Sequence, residues 1–460
     1  MSHTIARRTL LQTMAAALGT SLSGVARWAI AQPQADTTPL PRGEPLRITG
    51  LEVTPIALPD PPLLAHGGCH GPYFLRNIVR VRTDAGIEGI GETRGGQDVT
   101  AALQQAAAVV RGADAFAHRR VEAAVRHLGP ACVAGVELAC LDAVGKATGR
   151  RLCELLGGPV RDEVEFAAYL FFRYAADHPK LLEDPRIVDQ RGSGTKALDD
   201  WGEIRTPEAM AAAAERFHRR WGFRVMKLKA GVFPPDVELE TLRAIHARLG
   251  PEFPLRIDPN ARWTVPTAVR IGKQLRDLPL EYYEDPVAGQ QAMAQVRTET
   301  GLPMSTNMCV TRFEHIPSAL QTRPVDVVLA DHHYWGGMVV CQALGTLADA
   351  AGWKLSQHSN NHAGITMAAM IHLAAVVPQI TLASDTHYPW LVEGADIIAG
   401  GNLRFRNGKL SVPRRAGLGV ELDLDQLARA HETYQRCGMR QRDDAKTMRM
   451  IEPDWQRTLF

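Results

Sequence analysis

Seven short apolar runs recur in the second half of the chain, and each ends in a polar residue. They are Phe223 to Leu228 before Lys229, Leu255 to Asp258, Tyr282 to Glu284, Leu302 to Asn307, Asp326 to Asp331, Lys354 to His358 and Ile380 to Asp385. The terminal polar residues follow one another at 29, 26, 23, 24, 27 and 27 positions. Runs this short read as buried strands, while Thr264 to Asp277 and Met338 to Ala351 between them carry helical periodicity. A strand, a helix and two loops fill about that interval in a (β/α)8 barrel of roughly 250 residues. Glu165 to Phe172 is the candidate first strand. The 60 positions from Tyr169 to Lys229 exceed one repeat, and the excess at Ala175 to Trp201 reads as a long loop above the barrel mouth.

Before the barrel, residues 46–160 read as an α+β domain. Ile48 to Leu58 and Asn77 to Thr83 alternate as strands do, and Asp84-Ala-Gly86 turns the chain into Ile87 to Gly91. Ala101 to Gly157 is helical in pattern, with Val136, Ala139, Cys140 and Ala143 on one stripe. The Gly-rich stretch His66 to Tyr73 is either a loop that closes over a site or a plain surface loop. The barrel spans 161–400. The remainder, 401–460, returns to strands and turns and ends in a helix-like stretch around Gln441 to Ala445.

The first 31 residues differ in kind. Arg7 and Arg8 precede an Ala/Leu-rich stretch that closes on Ala29-Ile-Ala31, the pattern of a twin-arginine export signal. That expectation puts the mature protein in the periplasm. Ser, Gly and Arg27 break the stretch too often for a membrane span. Residues 32–45 read as a linker. A net charge of +2 gives no case for nucleic acid or a membrane surface. Seven cysteines without CxxC spacing argue against both a disulfide framework and a zinc site.

Parallel strands of a barrel all deliver their carboxyl-terminal residues to one mouth, where barrel enzymes keep their chemistry. Lys227 and Lys229 stand two apart, so they share a face. Mutual repulsion is expected to help one of them lose its proton and act as a base toward carbon. Asp258, Glu284 and Asn307, on three consecutive strands, offer oxygen donors that suit Mg2+. Beyond them His358 is a second candidate base, with Asp331 one strand earlier to orient its imidazole. A metal flanked by two bases fits abstraction of a proton alpha to a carboxylate, because so weak a carbon acid needs its enolate stabilised.

Lys227-Leu-Lys229, Asp258-Pro-Asn260, Glu284-Asp-Pro286, Ser305-Thr-Asn-Met308, Leu329-Ala-Asp331, His358-Ser-Asn-Asn-His362, Asp385-Thr-His387 and Gly417-Leu-Gly-Val-Glu-Leu-Asp423 together resemble the glucarate dehydratase group of the enolase superfamily. The resemblance runs from about Leu51 to the C-terminus. It implies an α+β capping domain, completed by residues 401–460, on a modified (β/α)7β barrel. It also implies Mg2+-dependent dehydration of an acyclic hexarate dianion, such as D-glucarate, to 5-dehydro-4-deoxy-D-glucarate. In that reading Lys229 is one base, Lys227 lowers its pKa, and His358 with Asp331 is the base and acid of the opposite face. Substrate contacts fall on His70, Tyr169, Lys227, Asn260, Ser359, Asn360, His387 and Arg442. The chain departs from the group in a shorter stretch from Glu284 to Asn307 and in the character of the Ala175 to Trp201 loop. Epimerisation or dehydration of another acid sugar such as galactarate or idarate, and a non-catalytic periplasmic sugar-acid binder, remain as alternatives. A homo-oligomer is left open.

Overall fold

The computed structural model describes residues 43–187 and 199–460. The export segment, most of the linker and the centre of the Ala175 to Trp201 stretch lie outside the described residues. The chain first builds an antiparallel sheet and then a parallel one. Strand β1 (Ile48–Pro59) precedes a short hairpin, β2 (Leu64–Ala65) with β3 (Gly68–Cys69). Strands β4 (Tyr73–Thr83) and β5 (Glu88–Arg94) then complete a sheet in the order β1-β4-β5. The expected turn at Asp84 to Gly86 joins β4 to β5, with Arg82 opposite Glu88.

The helix Pro130–Thr148 lies on this sheet, and 16 of its 19 residues are buried. The predicted stripe accounts for only four of those 16. Val136, Ala139, Cys140 and Ala143 pack with the sheet, whereas Leu138 and Leu141 belong to the barrel core. The helix is therefore apolar on two sides because it is sandwiched. Gly89 and Gly91 of β5 make the contact possible. A Cβ on Gly89 would stand 2.0 Å from the carbonyl oxygen of Ala139, and one on Gly91 2.3 Å from that of Gly135.

Eight parallel strands follow. They are β6 (Glu163–Leu170), β7 (Met226–Lys229), β8 (Leu255–Asp258), β9 (Leu280–Glu284), β10 (Met304–Thr306), β11 (Val327–Ala330), β12 (Lys354–Gln357) and β13 (Ser384–Thr386). They pair in the order β12-β11-β10-β9-β8-β7-β6-β13, with β14 (Lys409–Ser411) antiparallel on the outside of β6. A parallel bridge from Leu355 to Ile380 brings the approach to β13 beside β12, nearly closing the barrel. Helices follow every strand but the last, as in a (β/α)7β barrel. The run predicted from Ile380 yields a strand only from Ser384. Thr381 donates its N–H back to the Gln379 carbonyl, a turn that delays entry into the sheet.

Local signals set the helix ends. Thr206 caps Pro207–Trp221 by accepting from the Ala209 N–H, Pro207 supplies the pre-set first turn, and Gly222 ends the helix in the left-handed conformation. The C-terminal helix Leu424–Arg436 packs on β1. Tyr434, Cys437 and Met439 share a cluster with Ala57, Tyr73 and Leu75. The last helix runs from Asp444 to Ile451, slightly later than predicted, because Asp443 is its cap. All seven cysteines are free and buried. No helix among the described residues is long and apolar enough to cross a membrane.

Candidate active site

The lysine pair sits at the end of β7, and both side chains are buried. Lys227 Nζ donates to Glu284 Oε2 and to Asp385 Oδ2, each at 2.5 Å, and lies 3.8 Å from Asp258 Oδ2. Lys229 Nζ donates to Asp258 Oδ2 at 2.6 Å. At Lys227 the neighbouring carboxylates, more than repulsion within the pair, set the charge. Burial disfavours the Lys227 ammonium, but Asp385, Glu284 and Asp258 outweigh it and hold the pKa above the ordinary lysine value. Lys227 is a fixed cation.

The carboxylates around the lysines outnumber the cations. Asp258, Glu284, Asp285 and Asp385 are fully buried, against Lys227, Lys229 and Arg256. Burial keeps Asp258 from falling further, and the two lysines bring it down to about 2. Burial and the neighbouring carboxylates leave Glu284 well above the usual range, and burial pushes Asp285 up to about 7. A site built of hard oxygen donors and short of positive charge fits a divalent cation such as Mg2+. Asp258 and Glu284 end the neighbouring strands β8 and β9, and Asn307 follows β10. The Asn307 amide nitrogen lies 3.3 Å from Glu284 Oε1, which leaves its carbonyl oxygen as the third donor. Asp285, in the left-handed region at φ 34°, accepts the Thr306 hydroxyl and the Asn307 N–H and so fixes the end of β10.

His358, the second candidate base, is paired with Asp331. His358 Nδ1 lies 2.8 Å from Asp331 Oδ2, and an ionised carboxylate only accepts, so the proton is at Nδ1 and Nε2 is the basic nitrogen. Burial alone would raise Asp331, but donors from His333 and His358 hold it well below the usual range. Tyr334 stacks on the His358 ring at 5.3 Å. With three strands' separation one way round the barrel and five the other, β7 and β12 set Lys229 and His358 across the mouth from each other.

Several of the expected substrate contacts touch one another or the residues around Lys229 and His358. The Tyr169 hydroxyl donates to Asp258 Oδ2 at 3.2 Å, and its ring lies 4.6 Å from Lys227 Nζ. His387 packs edge-on to Tyr169, and its backbone N–H donates to Ser359 Oγ. His70 stacks near Phe171 and lies 3.4 Å from Asp60. Asn360 donates to the Tyr334 hydroxyl. Arg442 donates to Asp444 at 2.6 Å and to Asn361 Oδ1 at 2.7 Å. Asn260 stands apart. Its backbone N–H closes a turn on Asp258, while its side chain points at Met308 Sδ and hydrogen-bonds to none of the other expected contacts among the described residues.

The stretch around His70 is neither a free lid nor a plain surface loop. It is the β2–β3 hairpin, pinned where Gly68, at φ 128°, meets the backbone of Asp444. Sequence reasoning missed Asp60, Asn361, Tyr334 and His333. Asn361 stands inside the His358 to His362 run and donates to Asp60 Oδ1 at 3.0 Å. Asp60 carries no local signal, because its partners are 10 and 301 positions away.

The comparisons with known proteins agree with this geometry. The family described as enolase C-terminal domain-like matches residues 209–426. A probable glucarate dehydratase of Streptomyces coelicolor is 41% identical over 438 residues, covering 89% of this chain and 97% of that protein. An enolase of Thermobispora bispora crystallised with magnesium and formate is 44% identical, with a TM-score of 0.82 over 89% of this chain and 98% of that one. An enolase of Pseudomonas fluorescens with bound magnesium, potassium and tartrate is 38% identical, with a TM-score of 0.83 over 90% of this chain and 99% of that one. The chain belongs to the enolase superfamily and, within it, to the glucarate dehydratase-like hydro-lyases.

Proposed function

We propose that this acid-sugar dehydratase acts on an acyclic hexarate of the D-glucarate type, with Mg2+ held by Asp258, Glu284 and Asn307, and releases 5-dehydro-4-deoxy-D-glucarate and water. The observation that carries the reading is a buried oxygen-donor cluster, short of positive charge, flanked by Lys229 on β7 and by the Asp331-oriented His358 after β12. A divalent cation bound there would offset the negative charge that develops on the substrate carboxylate as its alpha proton leaves. Lys227, fixed as a cation, adds a donor to that carboxylate. One base removes the alpha proton, and the C–O bond to the beta hydroxyl then breaks. Where His358 is that base, it then carries a proton at both ring nitrogens and returns the Nε2 proton to the departing hydroxide as water. Where Lys229 is that base, His358 enters the cycle protonated at both nitrogens and delivers the same proton. The resulting enol tautomerises to the keto acid. Tyr169, His387, Ser359, His70 and Arg442 hold the polyhydroxy chain, and Asn260 reaches it from the rim.

The same reading divides the chain into a capping unit of residues 46–160 and 401–460 over a barrel of 161–400. It takes residues 1–31 as an export segment and the periplasm as the place of action. Bases on opposite faces also favour a second activity, epimerisation at the reacting carbon.

Incubation of the mature protein with Mg2+ and each hexarate in turn, read by semicarbazide and by proton NMR in deuterium oxide, tests the proposal. Keto product from one or two diacids, lost in Lys229→Ala and on chelation of the metal, supports dehydration. Deuterium exchange or epimer without keto product moves the chemistry to epimerisation. No turnover and no exchange overturns the hexarate reading.

A further inference from the structure

His333 lies two positions beyond Asp331, and the proposed mechanism does not use it. It is buried, and its Nδ1 is 3.2 Å from Asp331 Oδ1. The same oxygen accepts the His333 backbone N–H at 2.8 Å, so one oxygen of Asp331 is devoted to His333 and the other to His358. On the far edge of the ring, Nε2 lies 3.2 Å from Arg76 Nη2 and 3.2 Å from the Glu92 carbonyl oxygen. Arg76, from β4, is itself held. Its Nε donates to Glu92 Oε1 at 2.6 Å and its Nη2 to Thr366 Oγ1 at 3.1 Å. Glu92, from β5, also accepts the backbone N–H groups of Ala363 and Thr366, which lie beyond β12.

These partners select one tautomer. A guanidinium only donates and an ionised carboxylate only accepts. With its proton at Nδ1, His333 satisfies both. With the proton at Nε2, an N–H would face Arg76 and a lone pair would face Asp331, and the Glu92 carbonyl and the Thr366 hydroxyl 3.5 Å away do not compensate for two charged misfits. The groups around the ring are Arg76 and Glu92 from the antiparallel sheet, Asp331 and His332 after β11, and His358 and His362 after β12. His332 stacks on His333 at 3.9 Å, and its Nε2 has no hydrogen-bond partner. Asp331, His332 and His333 bring possible ligand atoms within 4.8 Å of one another. A cation there would meet Arg76, and both oxygens of Asp331 are already taken.

We propose that His333, locked by Arg76, is the positioning residue of the second base: its Nδ1–H holds Asp331 so that the other carboxylate oxygen meets His358 Nδ1–H and leaves His358 Nε2 basic. The inference rests on the reading of His358 as a base. It makes the antiparallel sheet part of the proton-transfer machinery of the barrel, through the chain Glu92–Arg76–His333–Asp331–His358. Partners that orient a reacting imidazole at one remove are typically worth roughly ten- to a hundred-fold in activity.

The test measures alpha-proton exchange in deuterium oxide, with Mg2+, for D-glucarate and for its epimer at the reacting carbon, in His333→Leu, His333→Asn and His358→Asn. Asn places an amide N–H near the position of imidazole Nδ1 and so keeps the donor to Asp331. His358→Asn should abolish exchange of one epimer and spare that of the other. For the epimer so identified, His333→Leu should lower kcat by roughly ten- to a hundred-fold with KM little changed, while the Lys229-dependent exchange continues. The acid limb of that epimer's pH profile should move upward, because Asp331, relieved of one N–H donor, holds the imidazolium more tightly. His333→Asn should restore most of the rate. Wild-type behaviour of His333→Leu with both epimers overturns the proposal. So does an equal loss with both epimers that Asn does not repair, since that is the mark of a purely structural role. If His358→Asn leaves both exchanges intact, His358 is not a base, and the functional reading fails along with this one.

Discussion

Lys227 and Asp385 form an ion pair of 2.5 Å with neither side chain exposed to solvent. Asp385 also receives Arg256 Nη1 at 3.0 Å, so one carboxylate separates two buried cations. Removing one partner of a buried pair leaves an uncompensated charge and typically costs about 3–5 kcal/mol. Asp385→Asn leaves Lys227 paired with Glu284 and Arg256 with Glu281, so stability should fall by less than that amount, with an unfolding midpoint shifted to lower denaturant. The loss should be larger than for Asp236→Asn, whose pair with Arg270 is on the surface. Equal midpoints for the two variants would show that the Lys227–Asp385 pair is not a structural anchor.

Asp331→Asn keeps the shape of the acceptor but can present an amide N–H to His358 Nδ1, which favours the wrong tautomer. General acid–base catalysis by a positioned residue contributes about 10²–10⁴-fold. The variant should lose roughly a hundred-fold or more in kcat with KM nearly unchanged, because Asp331 makes no substrate contact in this reading. Steady-state kinetics at saturating Mg2+ would decide it, and a change confined to KM would contradict the role.

The parts of the site legible in sequence were those carried by strand register. Lys229, Asp258, Glu284 and His358 stand at or just beyond the ends of successive strands, and a regular interval of apolar runs betrays them. The protonation state of Lys227 was not legible. It depends on Asp385, 158 positions away, and on Glu284, 57 away, which only barrel closure brings together. The half of Pro130–Thr148 that faces the barrel was lost for a similar reason. A helix buried on two sides has little amphipathic contrast for periodicity to detect. Arg76 and Glu92 fall one position outside the runs Asn77 to Thr83 and Ile87 to Gly91, and their partners His333, Ala363 and Thr366 lie more than 250 positions on.

Glu238 accepts the N–H groups of Gly231, Val232 and Phe233, the turn that follows Lys229 directly. Burial nevertheless pushes its pKa up to about 7, from 4.5 for the free side chain. A carboxyl whose folded pKa is raised binds its proton more tightly when folded, so stability falls as pH rises from the unfolded value to the folded one. The contribution is fully present below pH 4.5 and is lost through about pH 7, by up to roughly 3 kcal/mol. Glu238→Gln has no such titration. The difference in unfolding free energy between wild type and variant should drift against wild type across that window. A flat difference would mean that the three N–H donors keep Glu238 ionised throughout.

In the proposed export, Arg7 and Arg8 supply the basic pair of a twin-arginine signal. Replacing both with Lys should hold a full-length, tagged protein in the cytoplasm of a twin-arginine-competent bacterium, while the unchanged chain reaches the periplasm. Fractionation followed by blotting checks this. Equal distribution of the two proteins would refute export by that route.

Asn361 connects two segments distant in sequence, since its amide nitrogen donates to Asp60 and its oxygen accepts from Arg442. Arg442 precedes the last helix, and Asp60 follows β1 on the way into the hairpin that precedes His70. Asn361→Ala leaves Asp60 without this donor and Arg442 without one of its acceptors, so both turn to other partners or to water. Neither Lys229 nor His358 hydrogen-bonds to Asn361, and the expected substrate contact Arg442 loses a partner that orders it. KM should therefore rise by roughly ten-fold or more, the equivalent of about one lost charge-assisted hydrogen bond, with kcat falling much less. Asn361→Asp should be worse than Ala, because it sets a second carboxylate against Asp60. If both variants reduce kcat and leave KM in place, Asn361 acts at the reacting centre and not through Arg442 as a substrate contact.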